Sequence, residues 1–249
     1  MQNEEFVSIS ENETKHWWYR NLHHLTFMQL QVNGLRADAP ILDAACGTGG
    51  LMMYLQERGF THLKGFDQSE IAVSIAGNRD LPVVKGDLKN LNGAFPGKRF
   101  DAIICHDAFY FLDENEQRKF LQDCSELLNS GGILIMNIPA LKSFSGPHDK
   151  VVGIEKRLNR KQVKRLIDPR LFEWQSYRYW PFLLSPLILL IRWIQRLKAA
   201  WFKTTPVSDL KQETFWLNRL LEFITAIETK HIPWTPFGSS LFLVLKCNS

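Results

Sequence analysis

Residues 41–50 of this 249-residue chain, ILDAACGTGG, carry its strongest signal of fold class. The stretch opens with an apolar run around a single acid, which is typical of a strand buried on both faces of a parallel sheet. Glycines follow, and they allow a tight turn and a close approach of the backbone to a ligand. A helix is predicted next, over residues 51–58, with Gly59 at its end. This order is typical of nucleotide-binding units, although such a turn can also simply join a strand to a helix.

Strand and helix signals alternate beyond this stretch. Further strands are predicted over residues 62–67, 82–87, 100–107 and 133–139, with helices over residues 69–77 and 114–128. A helix between successive strands returns the chain to the same edge of the sheet. The alternation therefore predicts a parallel sheet with helices on both faces.

The two ends of the chain depart from this pattern. The first ten residues are expected to be frayed, and a helix is predicted from Asn12 or Thr14 to about Val32. Residues 171–180 and 241–246 are strand-like, and the segment between them has a helical pattern. The sequence predicts one α/β domain, a doubly wound, Rossmann-like sheet of seven mostly parallel strands with an antiparallel last strand and a helical cap before it. Its parts are a lid helix (12–34), a cofactor-binding core (40–180), the cap (181–232) and the final strand (233–249).

Composition excludes several classes of protein. The 45% apolar and 12% aromatic residues exclude disorder over most of the length, and a net charge of +4 without a basic stripe argues against a nucleic-acid binder. Four widely spaced cysteines predict neither a disulfide scaffold nor a metal site. The start of the chain has no export signal, and the longest uncharged stretch is too short to span a bilayer. We expect a cytoplasmic protein.

Three carboxylates end consecutive strands and sharpen the interpretation of the glycine turn. Asp43 ends the first strand, Asp67 the second and Asp87 the third. In an open parallel sheet these strand ends line one crevice. Asp67 is placed to accept both hydroxyls of a ribose, and Asp87 to accept from an adenine amine. Each acid alone could instead be a turn or cap residue.

In this order the segments LDAACGTGG, GFDQS, KGDL, FDAIICHDAFYFL and LLNSGGILIMNIP resemble a class I S-adenosylmethionine-dependent methyltransferase. The resemblance covers residues 12–180, and the final GSSLFLVLK is similar to the family's antiparallel last strand. The chain looks most like bacterial members with an HWWYR-type N-terminal helix and a GPHD loop, here residues 16–20 and 146–149.

The resemblance implies a role for each matching residue, with S-adenosylmethionine as the cofactor. The turn from Asp43 to Gly49 would hold the methionine part through backbone groups at Ala45 and Gly47. Asp67 would bind the ribose, and Asp87 with Leu88 the adenine. His106 would lie beside the methionine amine and the sulfonium. Trp18 and Arg20 of the HWWYR segment could close over the cofactor, with Arg20 meeting its carboxylate, or the tryptophans could only anchor the helix.

Some features depart from the family pattern or fit other functions. Ala45 stands where glycine is common, and Phe111, Ile154 and Leu158 differ from the usual residues near the acceptor. A nicotinamide-dependent dehydrogenase would need a glycine where the chain has Met52. A non-catalytic S-adenosylmethionine-binding scaffold and an RNA methyltransferase are the remaining alternatives.

Residues after the fourth and fifth strands are the candidates for general acid–base catalysis. His148, Asp149 and His106 are predicted as catalytic, because a methyl transfer sometimes needs a base beside the acceptor. Asp107 and Tyr110 border the same side of the sheet. The alternative is structural: His106 could act through its backbone, Asp107 could cap a helix, and residues 148–149 could stiffen a loop.

The cap sets the expected class of acceptor. Its two helices carry apolar stripes: Leu187, Leu190, Ile194, Leu197 and Trp201 on the first, and Trp216, Leu217, Leu220, Ile224 and Ile227 on the second. The first helix also carries Arg192, Arg196 and Lys198, so it could lie in a membrane interface or pack over a cleft. Either arrangement predicts an aromatic lid over the methyl donor, built from Trp180, Phe182, Trp201, Trp216 or Trp234. We therefore expect a partly hydrophobic small-molecule or lipid-like acceptor, with peripheral membrane contact as a second expectation.

A basic run precedes the sixth strand, from Lys156 and Arg157 to Lys164 and Arg165. Such a run is usually a solvated helix face. Because it lies near the expected mouth of the crevice, an anionic acceptor is also kept as an expectation.

Overall fold

The computed structural model describes residues 3–201 and 214–248, with backbone only for residues 3–5, 148, 150 and 199–201. Within these ranges seven strands form one sheet in the order β3-β2-β1-β4-β5-β7-β6. The strands are β1 Ile41–Ala44, β2 Leu63–Asp67, β3 Val83–Lys85, β4 Phe100–His106, β5 Leu128–Pro139, β6 Phe172–Trp180 and β7 Ser240–Cys247.

The strand directions confirm the predicted fold class. β1 pairs in parallel with both β2 and β4, β2 with β3, and β4 with β5. β7 is antiparallel to both of its neighbours, β5 and β6. The strand order reverses between β1 and β4, because the chain runs outward from β1 to β3 and then returns to β4. In open α/β sheets a ligand crevice lies at this reversal, beyond the carboxyl ends of the strands.

Helices cover both faces of the sheet. They are α1 Asn3–Asn12, α2 Trp17–Val32, α3 Gly50–Gln56, α4 Glu70–Gly77, α5 Leu91–Ala94, α6 Glu114–Leu127, α7 Pro147–Val152, α8 Arg160–Leu166, α9 Ser185–Trp201 and α10 Phe215–His231. Along β1 the buried side chains alternate, with Ile41 in one apolar core and Leu42 in the other. Neither face of the sheet is therefore left to solvent.

The N-terminal segment differs from the expectation of a frayed end. Residues 3–12 form α1, which packs beside α4 and buries Phe6. The next helix begins at Trp17 with His16 as its N-cap, so the predicted caps Asn12 and Thr14 are wrong. The local sequence of α1 is polar, and only its contact with the rest of the fold explains why it is helical.

The cap forms the two predicted helices, but their apolar stripes face outward. On α9 the side chains of Leu187, Leu190, Ile194 and Leu197 are exposed, and on α10 Trp216 is 81% exposed. α10 packs against α2. The Trp201 side chain of the predicted stripe lies outside the described residues. Among the described helices, none is long and apolar enough to cross a membrane.

Candidate functional site

The glycine turn after β1 adopts the conformation that its sequence predicts. Gly47 and Gly49 have φ values of 56° and 88°, in the left-handed region that favours glycine. A Cβ at Gly47 would meet no atom within 4 Å, so this part of the turn borders open space. Ala45 has a φ of 60°, a conformation that costs a residue with a Cβ about 1–2 kcal/mol. The departure from glycine at this position is therefore tolerated with strain.

Asp67, at the end of β2, holds the glycine turn in place. Its Oδ2 accepts a hydrogen bond from the Gly47 N–H at 2.9 Å, and its Oδ1 accepts one from the Ser69 N–H at 2.9 Å. Burial raises the pKa of Asp67, and these N–H donors oppose that shift. Asp67 also lines a cavity of about 1240 Å³. Its predicted contact with a ribose stays a prediction.

Asp43, at the end of β1, is a buried carboxylate in a negative environment. Within the described residues its side chain accepts no hydrogen bond, and it is 5% exposed. Burial, followed by the charges of Asp67 and Glu13, raises its pKa to about 8. A positively charged ligand group beside Asp43 would compensate for both effects.

Glu13 is a part of the site that the sequence did not reveal. The carboxylate follows α1 and reaches the glycine turn, where it accepts hydrogen bonds from the Thr48 hydroxyl at 2.6 Å and the Gly50 N–H at 3.0 Å. It also pairs with Arg79, which donates to the Thr48 carbonyl at 2.8 Å. A Cβ at Gly50 would meet the Glu13 carboxylate, so a larger residue there would displace the Glu13 side chain. We call Glu13, Arg79, Thr48 and Gly50 the N-terminal latch.

The third acid, Asp87, borders the cavity beside a short 3-10 helix over Leu88–Asn90. Its Oδ1 accepts a hydrogen bond from the Lys89 N–H at 2.9 Å, so it is the cap of that helix. Leu88 is buried and also lines the cavity. Capping occupies one carboxylate oxygen of Asp87. The predicted contact of Asp87 and Leu88 with an adenine stays a prediction.

His106, the last residue of β4, has a defined tautomer. Its Nε2 lies 2.7 Å from the Thr26 hydroxyl, which itself donates to the Leu22 carbonyl at 2.9 Å. Because the hydroxyl hydrogen is already donated, Nε2 carries the imidazole hydrogen and Nδ1 keeps a lone pair. Nδ1 is buried without a hydrogen-bond partner in the described residues. Burial, with a smaller contribution from His23, lowers the pKa of His106 to about 3, so it is a neutral acceptor and a weak base.

Asp107 lies next in the chain and has a different electrostatic character. It has a φ of 50°, and its carboxylate accepts a hydrogen bond from Asn137 Nδ2 at 2.9 Å. Asn137 in turn accepts from Trp180 Nε1 at 2.8 Å, and Trp180 stacks on Trp18 with ring centroids 4.3 Å apart. Burial raises the pKa of Asp107 to about 7, against the opposing effects of Asn137 and Arg157. An acid that titrates near neutrality and lines the cavity is suited to proton transfer.

The predicted catalytic pair at residues 148–149 lies in α7. The His148 side chain is outside the described residues. Asp149 forms a bidentate ion pair with Arg157, with Nη2 to Oδ1 at 2.7 Å and Nε to Oδ2 at 2.8 Å. Arg157 also donates to the Ser239 carbonyl at 2.9 Å. Both oxygens of the carboxylate are held by Arg157, and this geometry is typical of a positioning residue.

One cavity of about 1240 Å³ connects these groups. Its lining includes residues predicted from sequence: Trp18, Asp43, Ala45, Gly47, Asp67, Asp87, Leu88 and His106. Gly49 does not line it and instead forms the N-cap of α3. Arg20 also lies outside the lining, because its Nε pairs with Glu222 Oε1 of α10 at 2.6 Å.

The cap contributes aliphatic side chains to the cavity. Leu184, Leu187, Ile188 and Ile191 line it, together with Arg192. None of the described aromatics expected in a lid, Trp180, Phe182, Trp216 and Trp234, is in the lining. Trp180 is buried in the core, whereas Trp216 and Trp234 face outward. Helix periodicity could not reveal this, because it does not say which side of a helix the cavity meets.

Comparison with known protein families finds a match over part of the chain. Residues 41–132 match the family model of a methyltransferase domain. The phosphoethanolamine N-methyltransferase of Plasmodium falciparum is 30% identical over 107 residues, which are 41% of this chain and 40% of that protein. The match thus spans less than half of this curated relative.

Solved structures share the fold over nearly the whole chain. The plantazolicin methyltransferase BpumL, solved in complex with SAH, has a TM-score of 0.62 at 15% identity, over 99% of this chain and 90% of that chain. An S-adenosylmethionine-dependent methyltransferase of Clostridium acetobutylicum has a TM-score of 0.59 at 15% identity, over 93% and 92%. Part of the chain therefore matches a methyltransferase domain, and the chain has the fold of such enzymes, as predicted. These findings agree with the predicted class I enzyme and with S-adenosylmethionine as its cofactor.

Proposed function

We propose that the protein transfers the methyl group of S-adenosylmethionine to an oxygen or nitrogen of a partly hydrophobic, lipid- or sugar-like acceptor. The observation that carries the proposal is the arrangement at the carboxyl edge of the sheet. Asp43, Asp67 and Asp87 line the same cavity as the glycine turn, and aliphatic side chains of the cap line it too. We also propose that, among such methyltransferases, the protein is most similar to the bacterial ones that carry HWWYR and GPHD segments.

The residues of the cavity fit the cofactor. S-adenosylmethionine supplies an electrophilic methyl group on a positively charged sulfonium. The unpaired Asp43 carboxylate suits a cationic group such as the methionine ammonium, and the lone pair of His106 Nδ1 suits a hydrogen-bond donor. The open space at Gly47 lets the ligand approach the backbone of the turn. Because Arg20 is paired with Glu222, we do not assign it to the cofactor carboxylate.

The cavity also has space for an acceptor. Its volume of about 1240 Å³ exceeds the ~300–1,000 Å³ of ordinary small-molecule sites. The aliphatic side chains of α9 favour an apolar portion of the acceptor, and the nearby Arg192 favours an anionic one. The name of the Plasmodium relative indicates a phosphorylated amine as one such acceptor class.

We propose Asp107 as the general base for the acceptor. Its pKa of about 7 matches the physiological range, whereas that of His106, about 3, is too low for an efficient base. Asn137 holds the Asp107 carboxylate in place. Asp149 then positions the loop after β5 through Arg157, and a catalytic role for His148 stays a prediction.

Calorimetry and a turnover assay test the proposal. The protein is titrated with S-adenosylmethionine and with NAD⁺, and release of S-adenosylhomocysteine is followed with polar amines, sugars and long-chain amines as acceptors. We expect binding of S-adenosylmethionine alone and the fastest turnover with an acceptor that carries an apolar chain. Binding of NAD⁺ instead would overturn the proposal, and cofactor binding without turnover on any acceptor would favour the scaffold alternative.

A further inference from the structure

The second cap helix has its polar side facing the protein. Asn218 accepts a hydrogen bond from the Trp17 N–H at 2.8 Å, and Glu222 pairs with Arg20. Glu228 is buried, and its Oε2 accepts hydrogen bonds from the backbone N–H groups of Phe182 and Leu183 at 2.7 Å and 2.8 Å. The polar residues of α10 are thus used to attach the helix to the domain.

The first cap helix is oriented in the same way. Ser185 is fully buried, and Arg192 is 8% exposed. Arg196 donates to the Ser145 carbonyl at 3.0 Å, on the loop before α7. An ordinary surface helix buries its apolar stripe and exposes its polar face. Both cap helices do the reverse.

The sides of the two helices that face away from the protein carry exposed apolar side chains. We define the outer cap surface as the exposed apolar side chains Leu187, Leu190, Ile191, Trp193, Ile194 and Leu197 of α9 and Phe215, Trp216, Leu217, Leu220, Phe223 and Ile227 of α10. Their exposed fractions run from 38% at Ile227 to 81% at Trp216. Single exposed apolar residues are ordinary, but a concentration of this kind marks an interaction surface.

We propose that the outer cap surface docks on an anionic lipid bilayer, with the mouth of the cavity at the lipid surface. The docking itself does not depend on the proposed methyl transfer. Only its consequence, delivery of an apolar acceptor from the lipid side, rests on that function.

The charges around the outer cap surface complement an anionic bilayer. α9 has no acidic residue, and the two acids of α10, Glu222 and Glu228, face the protein. Lys198, Arg219 and Lys230 are exposed on these helices, and Arg219 also lies 3.6 Å from Glu222. Such cations are attracted to an anionic leaflet, and salt screens this attraction. In the described part of the cap the outward charges are therefore all positive.

The continuity of this surface with the cavity favours a bilayer over a second copy of the chain. Leu187 and Ile191 belong to the outer cap surface and also line the cavity. A second protomer packed there would cover the mouth, whereas a bilayer would leave a route for a lipid-like acceptor. Trp193 and Trp216 are 58% and 81% exposed, and indoles prefer the interface between water and lipid.

Vesicle flotation tests the proposal with the full chain. The protein is mixed with vesicles of phosphatidylcholine alone or with added phosphatidylglycerol, at low and high salt. We expect flotation with the anionic vesicles that falls as salt is raised. The variant Leu190→Gln/Ile194→Gln/Phe223→Gln should lower the bound fraction by at least about tenfold, because it removes three apolar side chains that would be buried in the bilayer.

A matched control variant separates binding through the outer cap surface from nonspecific hydrophobic binding. Val32 and Val84 are 74% and 46% exposed and lie outside the cap. The variant Val32→Gln/Val84→Gln should float like the parent protein, and circular dichroism should show both variants folded. Absence of flotation with anionic vesicles at low salt overturns the proposal. A concentration-dependent dimer that the cap variant abolishes, seen by analytical ultracentrifugation, also overturns it in favour of a second copy.

The docking and the methyl transfer can fail separately. Cap-dependent flotation supports the docking even if calorimetry finds no binding of S-adenosylmethionine. Cofactor binding and turnover by a protein that never floats would support the proposed function and overturn the docking.

Discussion

The carboxyl edge of the sheet buries charged side chains, whereas the helical cap exposes apolar ones. At the sheet edge Glu13, Asp43 and Asp67 are buried, and the cap exposes large apolar residues such as Trp216 and Phe223. Asp67 and Glu13 accept hydrogen bonds from the glycine turn, and Glu13 also pairs with Arg79. Asp43 has no such donor in the described residues. A buried charge or an exposed apolar side chain without a partner inside the protein therefore indicates a partner outside it. At Asp43 this would be a cationic ligand, and at the cap an apolar surface.

The largest effect on stability is expected at the N-terminal latch. Arg79→Ala leaves the buried Glu13 carboxylate without its cation and should cost about 3–5 kcal/mol, or release α1 if detachment costs less. Urea unfolding measures the loss, and hydrogen exchange shows whether the amides of α1 become unprotected. Lys85→Ala, at an exposed pair with Glu70, is the control and should change stability by less than about 0.5 kcal/mol. Equal effects of the two substitutions would contradict the assignment of the latch.

Asp107→Asn should give the largest loss of activity. We expect a fall in kcat of about 10²-fold or more with little change in cofactor affinity, because a general base contributes ~10²–10⁴-fold. In the parent protein kcat/KM should rise with pH through about 7, since the acid must lose its proton to act. The variant should lack this rise. A pH profile that keeps the rise in Asp107→Asn would remove Asp107 from the chemistry.

Asp67→Ala should weaken binding of S-adenosylmethionine by about 1.5–3 kcal/mol, through loss of a charge-assisted contact to the ribose. The same change removes the acceptor for the Gly47 N–H, so the glycine turn should also loosen. Calorimetry measures the affinity, with Asp38→Ala at an exposed loop as the control. Unchanged affinity in a folded Asp67→Ala protein would rule out both roles.

Asp43→Asn should stabilise the free protein while weakening its affinity for the cofactor. The pKa of Asp43 is raised from 3.8 to about 8, so the folded state holds the proton more tightly. Its contribution to stability is present below the unfolded pKa and is lost as pH rises through about 8. At about pH 9 the variant should gain at least ~1 kcal/mol over the parent, a difference that closes toward about pH 4.

Thermal unfolding across this pH range checks the prediction for Asp43. The control is Asp80→Asn, at an exposed residue whose φ of 57° also suits asparagine. A gain that is independent of pH, or a gain of the same size in the control, would contradict the electrostatic explanation.

The smallest effect on stability is expected at the cap. The flotation variant Leu190→Gln/Ile194→Gln/Phe223→Gln should change the free energy of unfolding by less than about 0.5 kcal/mol per site, because these side chains are exposed. Urea unfolding without lipid measures it. A loss of several kcal/mol would mean that the cap surface packs within the protein, and the contrast between the two regions would then fail.

The sequence predicted the elements of the core well because their signals are local. The alternation of buried strands and helices identified β1 to β5, and the ends of β1, β2 and β3 were predicted to bring Asp43, Asp67 and Asp87 to one edge of the sheet. The N-terminal helix α1 was missed, because its residues are polar and Phe6 is buried only against the folded domain. Glu13 was missed for a related reason, since its partners Thr48 and Arg79 are distant in the chain.

The order of strands and helices, the glycine turn and the acids at the strand ends follow from local sequence, because periodicity and turn chemistry act over a few residues. Three features depend on the assembled fold: which acids are paired, that the pKa of Asp107 rather than that of His106 is near neutrality, and that the apolar sides of both cap helices face outward. A helical stripe specifies that one side is apolar, but not whether that side meets the core. Burial and pairing depend on contacts between residues far apart in the chain, and these exist only once the sheet and cap have assembled.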